Sequence, residues 1–158
     1  MSRTFKLGLL LAVGIFVADQ ISKYVFLDLM QQNPAGITVT PFFNLVMVWN
    51  TGVSFGMFSE DTAHRAWTLI AVSFAVTAWL LWWLWRNQSG LVAVSLGMII
   101  GGAMGNVIDR YRFGAVFDFL DFHAFGWHWP AFNVADCAIV VGVLLLLADG
   151  FRPRKTAD

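Results

Sequence analysis

The chain has 158 residues, the length of one domain, and carries no net charge. Hydrophobic residues make up 58 % and charged residues 13 %, against about 45–50 % and about 25 % in soluble domains. This excludes a soluble globular protein, whose surface could not be covered by so few polar groups. A single cysteine, Cys137, excludes an intramolecular disulfide. The scattered His64, His123 and His128 form no ligand set for a metal.

The predicted elements are four membrane spans and two outer loops. The first span covers about 6–29 and carries Asp19 and Lys23 within its length. No small-x-small cleavage site follows it, so it reads as an uncleaved helix. Loop 30–65 opens on Gln31-Gln32-Asn33-Pro34, a helix breaker. Residues 37–48 are rich in β-branched and aromatic side chains and predict strand. Asn50-Thr51-Gly52 reads as a turn, and Ser59 as the N-cap of the following helix. The second span, 66–85, contains no charge and is flanked by tryptophans, as at membrane interfaces. The third span, about 91–108, carries Ala93, Gly97, Gly101 and Gly105 every four residues, with Gly102 beside them. Such a stripe lets helix backbones approach closely. Loop 109–133 holds the aromatic run Phe122–Trp129, which suits an interfacial anchor, and Asp121, read as a solvated acid. The fourth span is about 134–148.

Basic residues set the orientation. Arg3, Lys6, Arg86, Arg152, Arg154 and Lys155 fall at the termini and the turn at 86–90, while the longer opposite loops hold only Arg65, Arg110 and Arg112. Both termini are therefore expected in the cytoplasm. Asp19 then lies about 18 Å along the first span from Leu7, and Asp109 about 27 Å along the third from Leu91. Asp118 follows in the outer loop and Asp136 enters the fourth span from outside. All four acids share the outer half, on separate segments.

Acids beside hydrocarbon mark function more often than structure. Asn106 and Asp109, and Asn133 and Asp136, are spaced i,i+3 and share helix faces. Asn50 and Ser54 enter from the first loop. Asp19 and Lys23, at i,i+4, are placed to pair with each other, and Asp109 with Arg110 to form an interfacial pair. No HExxH or Ser-x-x-Lys motif is present, and adjacent Ser22 and Lys23 point about 100° apart on a helix. Two close carboxylates remain: one ionised to take a proton from water, one neutral to donate to a carbonyl oxygen. A proton-coupled transporter built on Asp19, Asp109 and Asp136 is the competing class, but it calls for acids reaching toward the cytoplasm. A scaffold with polar helix contacts is a third.

The residues resemble the lipoprotein signal peptidases, or signal peptidase II, across nearly the whole chain. The match rests on Asp19-Gln20-Ile21-Ser22-Lys23, Asn50-Thr51-Gly52-Val53-Ser54-Phe55-Gly56, Gly101 through Arg110, Val116-Phe117-Asp118-Phe119 and Phe132-Asn133-Val134-Ala135-Asp136. Phe117 and Cys137 depart from the commonest family residues, and neither is a carboxylate. The resemblance implies a single peptidase domain over 1–158, mainly α. Its four-transmembrane-helix bundle carries a small extracytoplasmic β-sheet, from the strand-like 37–48, and a short periplasmic helix over 55–65. It implies an aspartyl endopeptidase of the bacterial inner membrane, with its active site on the periplasmic side. Such an enzyme cuts prolipoproteins just before a diacylglyceryl cysteine, needs no cofactor or metal, binds no nucleic acid, works as a monomer among membrane lipids and is inhibited by globomycin-like peptides. It implies a catalytic pair, Asp118 and Asp136. Asp19, Lys23, Asn50, Gly52, Asn106, Asp109, Arg110 and Asn133 are then substrate-binding or supporting residues.

Overall fold

The computed structural model describes residues 1–52 and 62–151. Four helices carry one antiparallel sheet. Helix α1 (Arg3–Gln32) leads into strands β1 (Ile37–Thr40) and β2 (Phe43–Asn50), then helices α2 (Thr62–Arg86) and α3 (Gly90–Phe113). Strands β3 (Val116–Ala124) and β4 (Trp127–His128) precede helix α4 (Val134–Gly150). Among the described residues α1, α2 and α3 are long and apolar enough to cross a membrane. With 17 residues, α4 measures about 25 Å.

Helix α3 is the centre of the bundle, and its small residues explain why. A Cβ on Gly97 would meet the Gly8 carbonyl, and one on Gly101 would lie 2.5 Å from the Ala12 carbonyl oxygen, both on α1. On another face a Cβ on Gly102 would lie 2.5 Å from the Ala135 oxygen of α4. One stripe therefore serves two neighbours, and backbone lies against backbone on both sides. The helix starts on Ser89, whose hydroxyl accepts from the Val92 amide, and ends on Gly114 at φ +73°.

The sheet is seated by aromatic packing. Its order is β1-β2-β3-β4. Phe117 and Phe119 of β3 are fully buried with Met30 of α1, and Phe26 of α1 stacks on Phe119 at 4.5 Å. Each buried phenylalanine contributes about 1.5–3 kcal/mol. The intervening Asp118 points to the opposite face of the strand, as period-two geometry requires. It is buried there too. The β2–β3 register sets Val48 opposite Asp118 and Asn50 opposite Val116.

The boundaries differ from the sequence reading in instructive ways. Helix α3 runs past 108 to Phe113, so Asp109 and Arg110 are helical rather than the head of a loop. Arg110 and Arg112 occupy its last turn, where cations suit the negative helix end. Of the segment read as loop 109–133, residues 109–113 are helical and β3 and β4 occupy 116–124 and 127–128, the former interior to the sheet. Residues 62–65 are the first turn of α2. The rest of the helix expected over 55–65, with Ser54 and the cap at Ser59, lies outside the described residues.

The close approach of α3 to α4 is testable. Gly102→Ala should cost about 1–3 kcal/mol, because the added methyl meets a backbone oxygen that no rotamer change can move. Thermal unfolding in detergent measures it. Equal stability would show that α3 and α4 are not locked at this point.

Candidate active site

Five elements, α1, β2, α3, β3 and α4, bring the predicted polar residues to one end of the bundle. The base of the site is an ion cluster around Lys23, which α1 delivers almost fully buried. Its Nζ lies 3.0 Å from Asp19 Oδ2 and 2.8 Å from Asp109 Oδ2, and donates to Asn106 Oδ1 at 3.1 Å. The pairing of Asp19 with Lys23 expected from i,i+4 spacing is present, but it is half of a three-centre arrangement. Asp109 pairs with Lys23 rather than forming the surface pair with Arg110 that adjacency suggested.

Both acids also hold backbone. Asp19 Oδ1 accepts from the Ala135 amide at 2.9 Å, fixing the start of α4. Asp109 Oδ2 also accepts from the Phe117 amide at 3.1 Å, fixing the strand that carries Asp118. Gly105 passes so close to Asp19 that a Cβ there would strike the carboxylate. This gives the last glycine of the stripe a role at the site as well as in packing.

Above this base sit Asp118 and Asp136, and Asn133 joins them. Its Nδ2 donates to Asp118 Oδ1 at 2.7 Å, while its backbone amide donates to Asp136 Oδ2 at 3.2 Å. Its Oδ1 accepts from the Asp136 amide at 3.0 Å. These last two bonds are a capping box, so the motif that starts α4 also aims Asp136. Asp136 Oδ1 accepts from Asn106 Nδ2 at 2.8 Å, and Asp118 Oδ2 from Asn50 Nδ2 at 3.0 Å. Each carboxylate thus receives two hydrogen bonds from uncharged amides. Among the described residues neither has a salt-bridge partner within 4.0 Å.

The Asp118 carboxyl is held up to about 6. Burial is the main cause and the nearby Asp136 charge adds to it, against the lowering effect of the Asn50 and Asn133 hydrogen bonds.

Asn50 reaches the site because Gly52 turns the chain at φ +76°, with its amide bonded to Asn50 Oδ1 at 2.9 Å. A Cβ on Gly52 would meet Leu69 of α2 and come within 3.9 Å of Arg110 Nη2. Arg110 therefore lies beside this turn, with Nη1 on the Asn106 carbonyl at 3.4 Å. All ten residues expected at the site are in this one region.

Two features escaped the sequence reading. Gln20 donates to Asp19 Oδ2 at 3.2 Å and to Asp109 Oδ1 at 3.4 Å, tying α1 to α3. Its place next to Asp19 in the quoted motif was the available signal. Asp121 is buried rather than solvated, because β3 pairs with β2 and places Asn44 opposite it. Burial alone would raise its carboxyl, but bonds from Asn44 at 2.9 Å and His128 at 2.9 Å outweigh that and lower it. Cys137 is exposed on α4 and joins none of these contacts.

Comparison with known proteins agrees with this geometry. The family described as Signal peptidase (SPase) II matches residues 11–152. The lipoprotein signal peptidase of Methylorubrum extorquens (strain PA1) is 46 % identical over 97 % of this chain and 90 % of its own length. That of Aeromonas hydrophila is 42 % identical over 94 % of this chain and 90 % of its own. A bacterial membrane enzyme solved at 1.9 Å superposes with a TM-score of 0.78 at 26 % identity, over 94 % of each chain. A further bacterial membrane enzyme, solved at 2.3 Å, gives 0.73 over 96 % of this chain. The chain belongs to the signal peptidase II family of membrane proteases, the lipoprotein signal peptidases.

Proposed function

We propose that the chain is an aspartyl endopeptidase that cleaves lipid-modified prolipoproteins just before the diacylglyceryl cysteine, with Asp118 and Asp136 as the catalytic pair. The observation that carries this reading is the Asn133 bridge. One residue bonds Asp118 by its side chain and Asp136 by its backbone, and no cation neutralises either carboxylate by direct contact among the described residues.

The chemistry follows from one proton shared by the pair. The ionised carboxylate takes a proton from the bound water as its oxygen attacks the scissile carbonyl carbon. The neutral carboxyl gives its proton to the carbonyl oxygen, forming the tetrahedral intermediate. Collapse breaks the C–N bond, and the cysteine nitrogen leaves with a proton from the pair. The two groups titrate jointly, so the roles belong to the pair. Asn50 and the Gly52 turn border the pair and are placed to bind extended substrate backbone, as is Arg110. Asp19, Lys23, Asn106, Asp109 and Asn133 hold the pair in position.

Topology is part of the same proposal. The basic termini and the turn at 86–90 favour four spans with both ends in the bacterial cytoplasm. The pair then lies at the periplasmic surface of the inner membrane. There the lipid on the substrate cysteine anchors the bond to be cut, and globomycin-like peptides would compete with it. The enzyme acts as a monomer, without cofactor or metal. A transporter is disfavoured because Lys23 neutralises Asp19 and Asp109, leaving no acidic step toward the cytoplasm.

Removing Lys23 should be costly. Lys23→Met leaves two buried carboxylates without their cation and is expected to lose about 3–5 kcal/mol, measured by thermal unfolding in detergent. Retained stability would mean that Asp19 and Asp109 are satisfied without it.

Asp118→Asn and Asp136→Asn should each lower turnover of a diacylglyceryl precursor by at least about a thousandfold, and a precursor without the lipid should be a poor substrate of the unaltered protein. In the unfolded chain Asp118 releases its proton near 3.8, in the folded chain near 6. Folding therefore takes up a proton in that window, and stability falls as pH rises through it. At pH 7 Asp118→Asn should consequently be at least as stable as the parent, which separates lost chemistry from lost folding. Near-normal cleavage by either variant would remove the pair from the mechanism.

The pH profile tests Asn50. Its hydrogen bond favours ionised Asp118, so Asn50→Ala should move the alkaline limb of kcat/KM upward. A net hydrogen bond of about 0.5–1.5 kcal/mol corresponds to a shift of up to about one pH unit. A downward shift would show that Asn50 does not act through the charge on Asp118.

A further inference from the structure

Arg110 brings a cation to the site and leaves most of its donors unused. A guanidinium carries five N–H donors in a planar fork. Nη1 donates to the Asn106 carbonyl at 3.4 Å, a long bond. Nε is buried and has no hydrogen-bond partner. Among the described residues Nη2 has none either. Nε and Nη2 share one edge of the guanidinium plane, the edge that grips both oxygens of a carboxylate. Lys23 differs, since Asp19, Asp109 and Asn106 fill it.

A buried donor without a partner is costly and calls for an explanation. Attraction to the helix end does not require one to be buried. Arg112, in the same last turn of α3, stays exposed, whereas Arg110 is half-buried.

Arg110 stands beside the acids without bonding them. Its charge acts on Asp136, Asp109 and Asp118, yet among the described residues it forms an ion pair with none of the three. Asn106, whose carbonyl holds Nη1, holds Asp136 by its side chain. The guanidinium is thus fixed next to the pair with one edge unfilled.

Hydrolysis creates one new anion at this place. The water oxygen joins the scissile carbonyl carbon, the C–N bond breaks, and the cysteine nitrogen leaves as an amine. The new carboxyl group, with a pKa of about 3.3–3.7, passes its proton to solvent. Beside the charge on Asp118 and Asp136 this carboxylate is repelled unless a cation meets it. A peptide carbonyl offers the fork one oxygen and no charge, whereas a carboxylate offers two oxygens in the fork's own plane.

Resting on the proposed peptidase reading, we infer that the Nε–Nη2 edge of Arg110 receives the carboxylate that hydrolysis creates at the end of the released signal peptide. Arg110 is then a product-binding residue, and the cleaved signal peptide is an inhibitor until it leaves.

The test uses the full-length protein in detergent and two peptides. Both are the stretch of a diacylglyceryl precursor before its lipid-bearing cysteine, one made as the free acid and one as the carboxamide. Neither contains the scissile bond, so binding is read at pH 7 by isothermal titration calorimetry. Two charge-assisted hydrogen bonds should favour the free acid by about tenfold or more on the unaltered protein. Arg110→Gln should lose this preference while its affinity for the carboxamide falls by less than about threefold. Equal affinity of the unaltered protein for both peptides would overturn the inference, and that comparison needs no variant to fold. A free-acid preference that survives Arg110→Gln would overturn it too. Precursor cleavage is scored separately. An unaltered protein that cuts no precursor counts against the peptidase reading, and one that cuts it yet binds both peptides alike counts against the carboxylate site alone.

Discussion

The structure depends on burying one lysine between two aspartates. Ions are costly to bring into an apolar bundle, and the cost is offset only when charges meet at close range with their remaining valences filled. Lys23 meets Asp19 and Asp109 at 3.0 and 2.8 Å. The carboxylates then turn their capacity outward, onto the Ala135 and Phe117 amides. Those amides belong to the segments that carry Asp136 and Asp118. The charge cluster thus sets the position of both site acids without contacting either by a salt bridge.

That division of labour has an electrical consequence. A cation bound directly to Asp118 or Asp136 would hold its carboxylate ionised. Here the lysine is neutralised one layer below, and the pair is held by the amides of Asn50, Asn106 and Asn133. Neutral donors orient a carboxyl group with less bias toward its ionised form than an ammonium would exert. Burial then dominates, and Asp118 is raised to about 6. The asparagines are the residue type that allows positioning without strong charge stabilisation.

Much of this was legible in the sequence because membrane helices constrain depth. Rise per residue places Asp19, Asp109 and Asp136 at one end, and the i,i+3 asparagines mark the faces that meet. The glycine stripe foretold close packing, though not that Gly101 and Gly102 would serve different neighbours. What could not be read was long-range pairing. Asp121 looked solvated because its partner Asn44 lies far away in sequence and is met only through the β2–β3 register. Helix α3 was cut short at Ile108 because charges after an apolar run resemble a span boundary. The ion cluster removes that penalty for Asp109, and the Gly114 cap closes the helix five residues later.

The same packing that builds the site leaves α2 apart from α4. Helix α3 offers glycine faces to α1 and α4, where backbones touch, but meets α2 through larger side chains, with Leu80 and Leu84 in one cluster with Leu96. Helix α2 is therefore held on α3 by side-chain packing rather than by touching backbones. The glycine pattern of α3 thus decides which helices close around the ion cluster, because backbone contact is possible only where no Cβ intervenes.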